Sequence, residues 1–174
     1  MAVTRKWVPA PVEDVWAIVA DPRAYAFWVV GSHDIRRADG DWPNVGATFH
    51  HTQGHGPVKL RDTSTVLESE PPRRLVLEVR IRPFAVGRVE LVFEPDGEGT
   101  QMTIDEVLHG GMAGLVPNAV IAPFMNMRNE DGLRRLAGMA WTRAATLGRA
   151  PDDQEGDGSG TTPRSSARAT NARA

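Results

Sequence analysis

The sequence predicts an α+β fold: a curved antiparallel sheet of about seven strands closing around one long C-terminal helix. Three observations carry this. Residues 117–147 form the longest run with helical character, and they come last before a tail of different composition. Upstream of them, beyond an early pair of short helices, apolar residues recur with a period of two. The segments with that period are joined by tight Gly- and Pro-containing turns, which link antiparallel neighbours, whereas parallel strands need long crossovers. A sheet gripping a single helix in this way leaves room for a cavity between the two.

The elements follow in order. Residues 3–8 are a short strand stopped by Pro9-Ala10-Pro11, because two prolines so close cannot continue a ladder. Val12, Val15, Trp16, Ile18 and Val19 then recur at helical spacing, with Glu13 and Asp14 in the first turn, where the helix dipole favours acids. Asp21-Pro22 ends that helix. A second short helix over residues 23–29 carries Tyr25, Phe27 and Trp28, and Gly31 stops it. Strands are expected over residues 33–38, 47–53, 60–68, 75–82, 86–94 and 101–109. The clearest has Leu75, Leu77, Val79 and Ile81 on one face and Val76, Glu78, Arg80 and Arg82 on the other, one face inward and one in water.

The final helix follows a Gly-rich linker. Asn118 is its expected N-cap, and Pro123 predicts a kink or a start near Ala122. Phe124, Met125, Leu133, Leu136, Ala137, Ala140 and Trp141 make one apolar stripe, interrupted by Asn129. From Arg149 onward large apolar residues vanish. The expected organisation is one domain over residues 1–148 and a disordered tail over residues 149–174.

Composition excludes several classes. There is no cysteine, so disulfides, thiolate metal sites and a Cys nucleophile are absent. A net charge of −2 creates no long-range field favouring nucleic acid or anionic lipid. No apolar run is long enough for a membrane helix, and the N-terminus lacks the apolar core of a secretory signal. The expectation is a cytoplasmic protein with no nucleic-acid partner and no membrane insertion. P-loop, dinucleotide-binding, G-x-S-x-G and H-E-x-x-H motifs are missing, which disfavours nucleotide-dependent chemistry, serine hydrolysis of that type and zincin chemistry. No cofactor is expected.

Three stretches carry a resemblance. Val8-Pro9-Ala10-Pro11-Val12-Glu13-Asp14-Val15-Trp16 resembles the APxxxVW opening of the START-like (SRPBCC) superfamily. Glu70-Pro71-Pro72-Arg73-Arg74-Leu75 resembles its xPPRRL lead-in to a strand, and Gly97-Glu98-Gly99-Thr100-Gln101-Met102-Thr103 its GxGTxxT turn and strand. The likeness covers roughly residues 2–147 and is nearest to the bacterial polyketide cyclase/dehydrase-type branch. It implies the helix-grip (Bet v 1-like) fold with an apolar pocket. The branch includes aromatic cyclases as well as lipid and hormone binders, so the fold alone does not fix the function. The superfamily shares no catalytic motif that transfers residue by residue.

Strand parity names the candidate pocket residues. Glu106 shares a face with Met102, Ile104 and Leu108, and an inward carboxylate is costly unless paired or protonated. It is either an acid/base or polar anchor inside the cavity, or a group turned outward by a bulge or into water at the pocket mouth. Asp62 and Ser64 share parity with Leu60 and Val66 and line the cavity in that register; the other register puts Arg61, Thr63 and Thr65 there. His50, His51 and His55 form the histidine cluster. His51 joins the core side if Phe49 does, while His50 points the opposite way, so the two cannot ligate one metal from one strand. No metal site is expected. His51 is either an acid/base or hydrogen-bonding group in the pocket, or a solvated strand-end histidine.

Tyr25, Phe27 and Trp28 either stack on a planar ligand or form ordinary core. Asn129 bonds a ligand or a neighbouring backbone group, and Arg128 sits at the edge of the stripe. The candidate ligand-binding wall is thus Trp28, Phe49, His51, Asp62 and Ser64, then Leu77, Val79, Leu91, Ile104 and Glu106, and from the final helix Met125, Asn129 and Leu133. Glu106, Asp62 and His51 are the candidates for proton transfer. The expected function is binding of a small hydrophobic molecule, polyketide- or lipid-like, in this cavity. The alternative is a polyketide cyclase or dehydratase that catalyses aldol cyclisation or dehydration in the same pocket.

Overall fold

A computed structural model of the chain describes residues 2–55, 58–81, 85–110 and 117–150. Strand β1 spans Ala2–Val8, helix α1 Val12–Val19, and a single 3₁₀ turn Pro22–Ala24 leads into α2, Tyr25–Trp28. Six strands follow: β2 Ser32–Asp39, β3 Thr48–His55, β4 Val58–Glu70, β5 Arg74–Ile81, β6 Ala85–Asp96 and β7 Gly99–Gly110. Helix α3, Asn118–Thr146, completes the fold. Element types and order match the expectation. Residues 151–174, most of the expected tail, lie outside the described residues.

The strands form one antiparallel sheet in the order β1-β7-β6-β5-β4-β3-β2. The first two strands therefore occupy opposite edges, and α1 and α2 carry the chain from one edge to the other. Register shifts interrupt β2–β3, β4–β5 and β6–β7. Each adds local twist and bend, which curls the sheet towards α3.

Local chemistry explains the ends. Asp21 Oδ1 accepts from the Arg23 N–H at 2.9 Å and opens the 3₁₀ turn. Asp14 was expected to serve the helix dipole, but it is wholly buried, and its Oδ1 accepts from Arg143 at 3.2 Å and Arg149 at 2.6 Å. That contact ties α1 to the end of α3. Ala150 also packs against the core.

The inner sheet face and one side of α3 enclose the core, which includes Val8, Val15, Val19, Leu75, Leu91, Phe93, Met102, Leu133 and Leu136. On α3, Met125, Asn129, Leu133, Leu136, Ala137, Ala140 and Ala144 are buried at three- and four-residue spacing. The stripe is narrower than expected. Phe124 and Trp141 are 63% and 40% exposed, since each sits one residue round the helix from a buried neighbour. Alanines seal the C-terminal half of the helix where Trp141 was expected to, and their small side chains let α1 lie close.

Three other expectations need correction. Pro117, not Asn118, holds the N-cap position of α3, and no side chain caps it. The helix starts before Ala122, the later of the two expected starts, and has Pro123 inside it. Val76, expected to face water, is 0% exposed. It sits between Glu68 and Glu90 in the strand register, beneath the ion pairs that both make with Arg74 and Arg88.

At Gly132 a β-carbon would come 3.1 Å from the Trp28 carbonyl oxygen and 3.8 Å from its ring. The missing side chain is what lets α2 approach α3 so closely, at a cost of about 1 kcal/mol in helix propensity relative to alanine.

Candidate functional site

A cavity of about 70 Å³ lies between the inner face of the sheet and α3. Its wall combines Tyr25, Trp28 and Val29 from the α2 region with Ser32, Phe49, His51 and Ser64 from β2 to β4. Leu77, Val79, Val89, Leu91, Ile104 and Glu106 come from β5 to β7, and Arg128 and Asn129 from α3.

Alternation places these groups. In β4, Asp62, Ser64 and Val66 are all buried, which is the expected inward register; the side chain of Leu60 lies outside the described residues. In β3, Phe49 and His51 are buried at 2% exposure each, whereas His50 turns to the outer face and pairs with Asp39 at 2.8 Å. The side chain of His55 also lies outside the described residues. In β7, Thr100, Met102, Ile104 and Glu106 all point inward.

Glu106 is held from α3. Arg128 Nη2 donates to its Oε2 at 2.6 Å and Asn129 Nδ2 to the same oxygen at 3.1 Å. Asn129 therefore interrupts the apolar stripe to satisfy a carboxylate, and Arg128 compensates the charge. A carboxylate held this way is a fixed, paired anchor and is poorly placed to pass protons.

His51 is different. Its Nε2 lies 3.2 Å from Ser64 Oγ, and its Nδ1 has no partner among the described residues. Burial, with Arg36 and His50 close by, lowers the imidazole from its usual 6.5 to about 4. The ring is uncharged at neutral pH. It packs on Phe49 with centroids 5.1 Å apart, and Phe49 packs on Tyr25 at 4.8 Å, and Tyr25 on Trp28 at 4.9 Å. The result is a continuous aromatic wall.

Ten of the predicted wall residues line the cavity: Trp28, Phe49, His51, Ser64, Leu77, Val79, Leu91, Ile104, Glu106 and Asn129. Three do not. Leu133 lies in the main core, Met125 is buried elsewhere along α3, and Asp62 is buried on the same face as Ser64 but outside the wall. Of the α2 aromatics, Tyr25 and Trp28 face inward and Phe27 is 67% exposed. Sequence reasoning missed Val29, Ser32 and Val89. Val89 was legible, since it shares parity with Leu91. Val29 and Ser32 flank a turn, where periodicity says nothing.

A curved antiparallel sheet wrapped on one long helix, with a cavity between them, defines the helix-grip class of START-like proteins. Within that class the chain belongs to the polyketide cyclase / dehydrase and lipid transport family, whose model matches residues 2–140. Solved structures with the same fold include a protein of Thermus thermophilus, 18% identical with a TM-score of 0.61, the match covering 81% of this chain and 97% of that one. StfQ, the di-domain ARO/CYC of the steffimycin biosynthetic pathway, is 13% identical with a TM-score of 0.66 over 82% of this chain and 51% of that one. DynU16, from the dynemicin biosynthetic locus, is 24% identical with a TM-score of 0.59 over 87% of this chain and 49% of that one. At these identities the likeness is one of fold. No curated protein matches the chain. Among the described residues, no helix is long and apolar enough to cross a membrane.

Proposed function

We propose that this protein binds a small, largely apolar molecule in the cavity between the sheet and α3. The observation that carries the reading is the composition of the wall. Leucine, isoleucine, valine and aromatic side chains make most of it, and a few buried polar groups interrupt them at fixed positions. That is the usual make-up of a small-molecule site, in which apolar contact supplies affinity and polar groups fix orientation. The cavity is below the ~300 Å³ at which drug-sized sites begin, so a ligand of ten or more heavy atoms has to displace the wall as it enters. In this reading the protein works in the cytoplasm, without a cofactor and without inserting into a membrane.

Native mass spectrometry of the purified protein, compared with Leu91→Trp, tests this. Leu91 is 1% exposed and lines the cavity, so the larger ring competes with the ligand for space. The expected result is a bound small molecule on the wild type and a lower occupancy on the variant. Equal occupancy on both, with the variant folded, would place the ligand outside this cavity.

A second reading is polyketide cyclisation or dehydration in the same cavity, and His51 is what favours it. An uncharged imidazole on the wall, next to Ser64, can hold a ketone oxygen or move a proton. Glu106 fits that role less well because Arg128 pairs with it, and Asp62 because it lies outside the wall. Turnover of a poly-β-ketone that is lost in His51→Gln, with binding retained, would favour catalysis.

A further inference from the structure

Four polar side chains on the cavity wall have atoms with no hydrogen-bonding partner among the described residues. They are Tyr25 Oη, Trp28 Nε1, Ser32 Oγ and His51 Nδ1. Their residues are only 2–6% exposed. Off the wall, Ser69 Oγ and single carboxylate oxygens of Asp14 and Asp105 are also without a hydrogen-bonding partner among the described residues. Trp42 Nε1, however, donates to the Val19 carbonyl and Thr100 Oγ1 to the Ala10 carbonyl, so the clustering of four on one wall is what stands out. A buried donor left unpaired is costly, and native structures rarely tolerate several together. Four on one wall call for a molecule that brings partners to them.

The kind of partner follows from the groups themselves. An indole N–H can only donate. Burial pushes the Tyr25 phenol well above its usual 10, so it keeps its proton and can donate too. Ser32 can donate or accept, and His51 is uncharged at neutral pH. The set holds no formal charge, and the charged wall residues, Glu106 and Arg128, are engaged with each other. Such a wall suits neither a carboxylate or phosphate head group nor an alkyl tail. It suits an uncharged oxygen acceptor on a flat skeleton, because the rings of Tyr25, Trp28 and Phe49 lie side by side around the donors.

We propose that Tyr25, Trp28, Ser32 and His51 form a carbonyl-recognition subsite, and that the ligand is an uncharged cyclic ketone or quinone-like molecule and not a fatty acyl chain. This rests on the cavity-binding reading above and narrows it to a ligand class.

The test uses 1-tetralone and tetralin, which share a ring skeleton and differ by one carbonyl oxygen, with decanoate as the acyl-chain probe. Affinities come from calorimetry on the full chain, and the Trp28 indole N–H is followed by NMR. Tetralone is expected to bind at least tenfold more tightly than tetralin and to shift the indole resonance, which tetralin does not. In Tyr25→Phe/Ser32→Ala the preference should fall below threefold. Equal affinities for tetralone and tetralin overturn the subsite while leaving cavity binding intact, and so does a preference for decanoate over tetralone. If none of the three binds, the cavity reading fails and the subsite with it. Should the double variant not fold, the wild-type affinity ratio and indole shift decide the matter alone.

Discussion

Replacing Arg128 with methionine removes the guanidinium 2.6 Å from Glu106 Oε2 and leaves the carboxylate, among the described residues, a single partner, Asn129 Nδ2 at 3.1 Å. The Glu106 side chain is 6% exposed and that of Arg128 23%. Breaking a fully buried pair from one side costs about 3–5 kcal/mol. Here water reaches part of the guanidinium and Asn129 stays in place, so a loss of about 2–3 kcal/mol is expected. In a domain of this size each kcal/mol moves Tm by about 2–4 °C, which puts the fall near 5–10 °C. Changing Glu106 to Gln in the same chain removes the stranded charge and keeps the shape, with an amide oxygen still able to accept from Asn129. The double variant should therefore be at least about 1 kcal/mol more stable than Arg128→Met alone. Urea denaturation of all four proteins closes the cycle. If the two losses simply add, so that the double variant is the least stable, Arg128 is not there to compensate Glu106.

Two further outcomes follow from buried ionisable groups. His51 has a folded-state pKa near 4 against 6.5 when unfolded, so the unfolded chain binds the extra proton first as pH falls. The stability tied to this group is complete above about pH 6.5 and is lost towards pH 4, by about 3 kcal/mol for a shift of this size. His51→Phe should flatten that slope, and NMR titration of the imidazole should show no protonation at pH 5.5. Deleting residues 151–174 should leave Tm within about 1 °C, whereas deleting from Arg149 onward should lower it by several degrees, because Asp14 then loses its 2.6 Å partner. Equal Tm values for the two truncations would show that Arg143 alone satisfies Asp14.

The fold was legible because both of its periodicities are written plainly in the sequence. The alternation of Leu75, Leu77 and Val79, and of Met102, Ile104 and Glu106, fixes which side of each strand is buried, so most of the cavity wall could be named from parity. What parity cannot see is the angular width of a helix face. Phe124 and Trp141 are apolar and adjacent to buried positions, yet point outward, because smaller neighbours fill the space against the sheet. Nor can it distinguish a buried acid that works from one that is held: Arg128 and Asn129, which hold Glu106, come from another element 22 and 23 residues further on. Local sequence gives Asp14 only the role of a helix-end charge, because its partners lie more than a hundred residues away. Ser32 and Val29 escaped notice because turns obey no period.

The close approach at Gly132 bears on how such a site could change its ligand. Trp28 stands against the bare backbone of α3, one turn beyond Asn129. Adding a single methyl there would press on the Trp28 carbonyl oxygen, 3.1 Å away, and shift the backbone that carries the indole, altering the room inside the cavity without touching any atom a ligand meets. The capacity of the site is thus set in part from behind its wall. Selection for a bulkier or smaller guest could act on position 132 and leave every contact residue as it is.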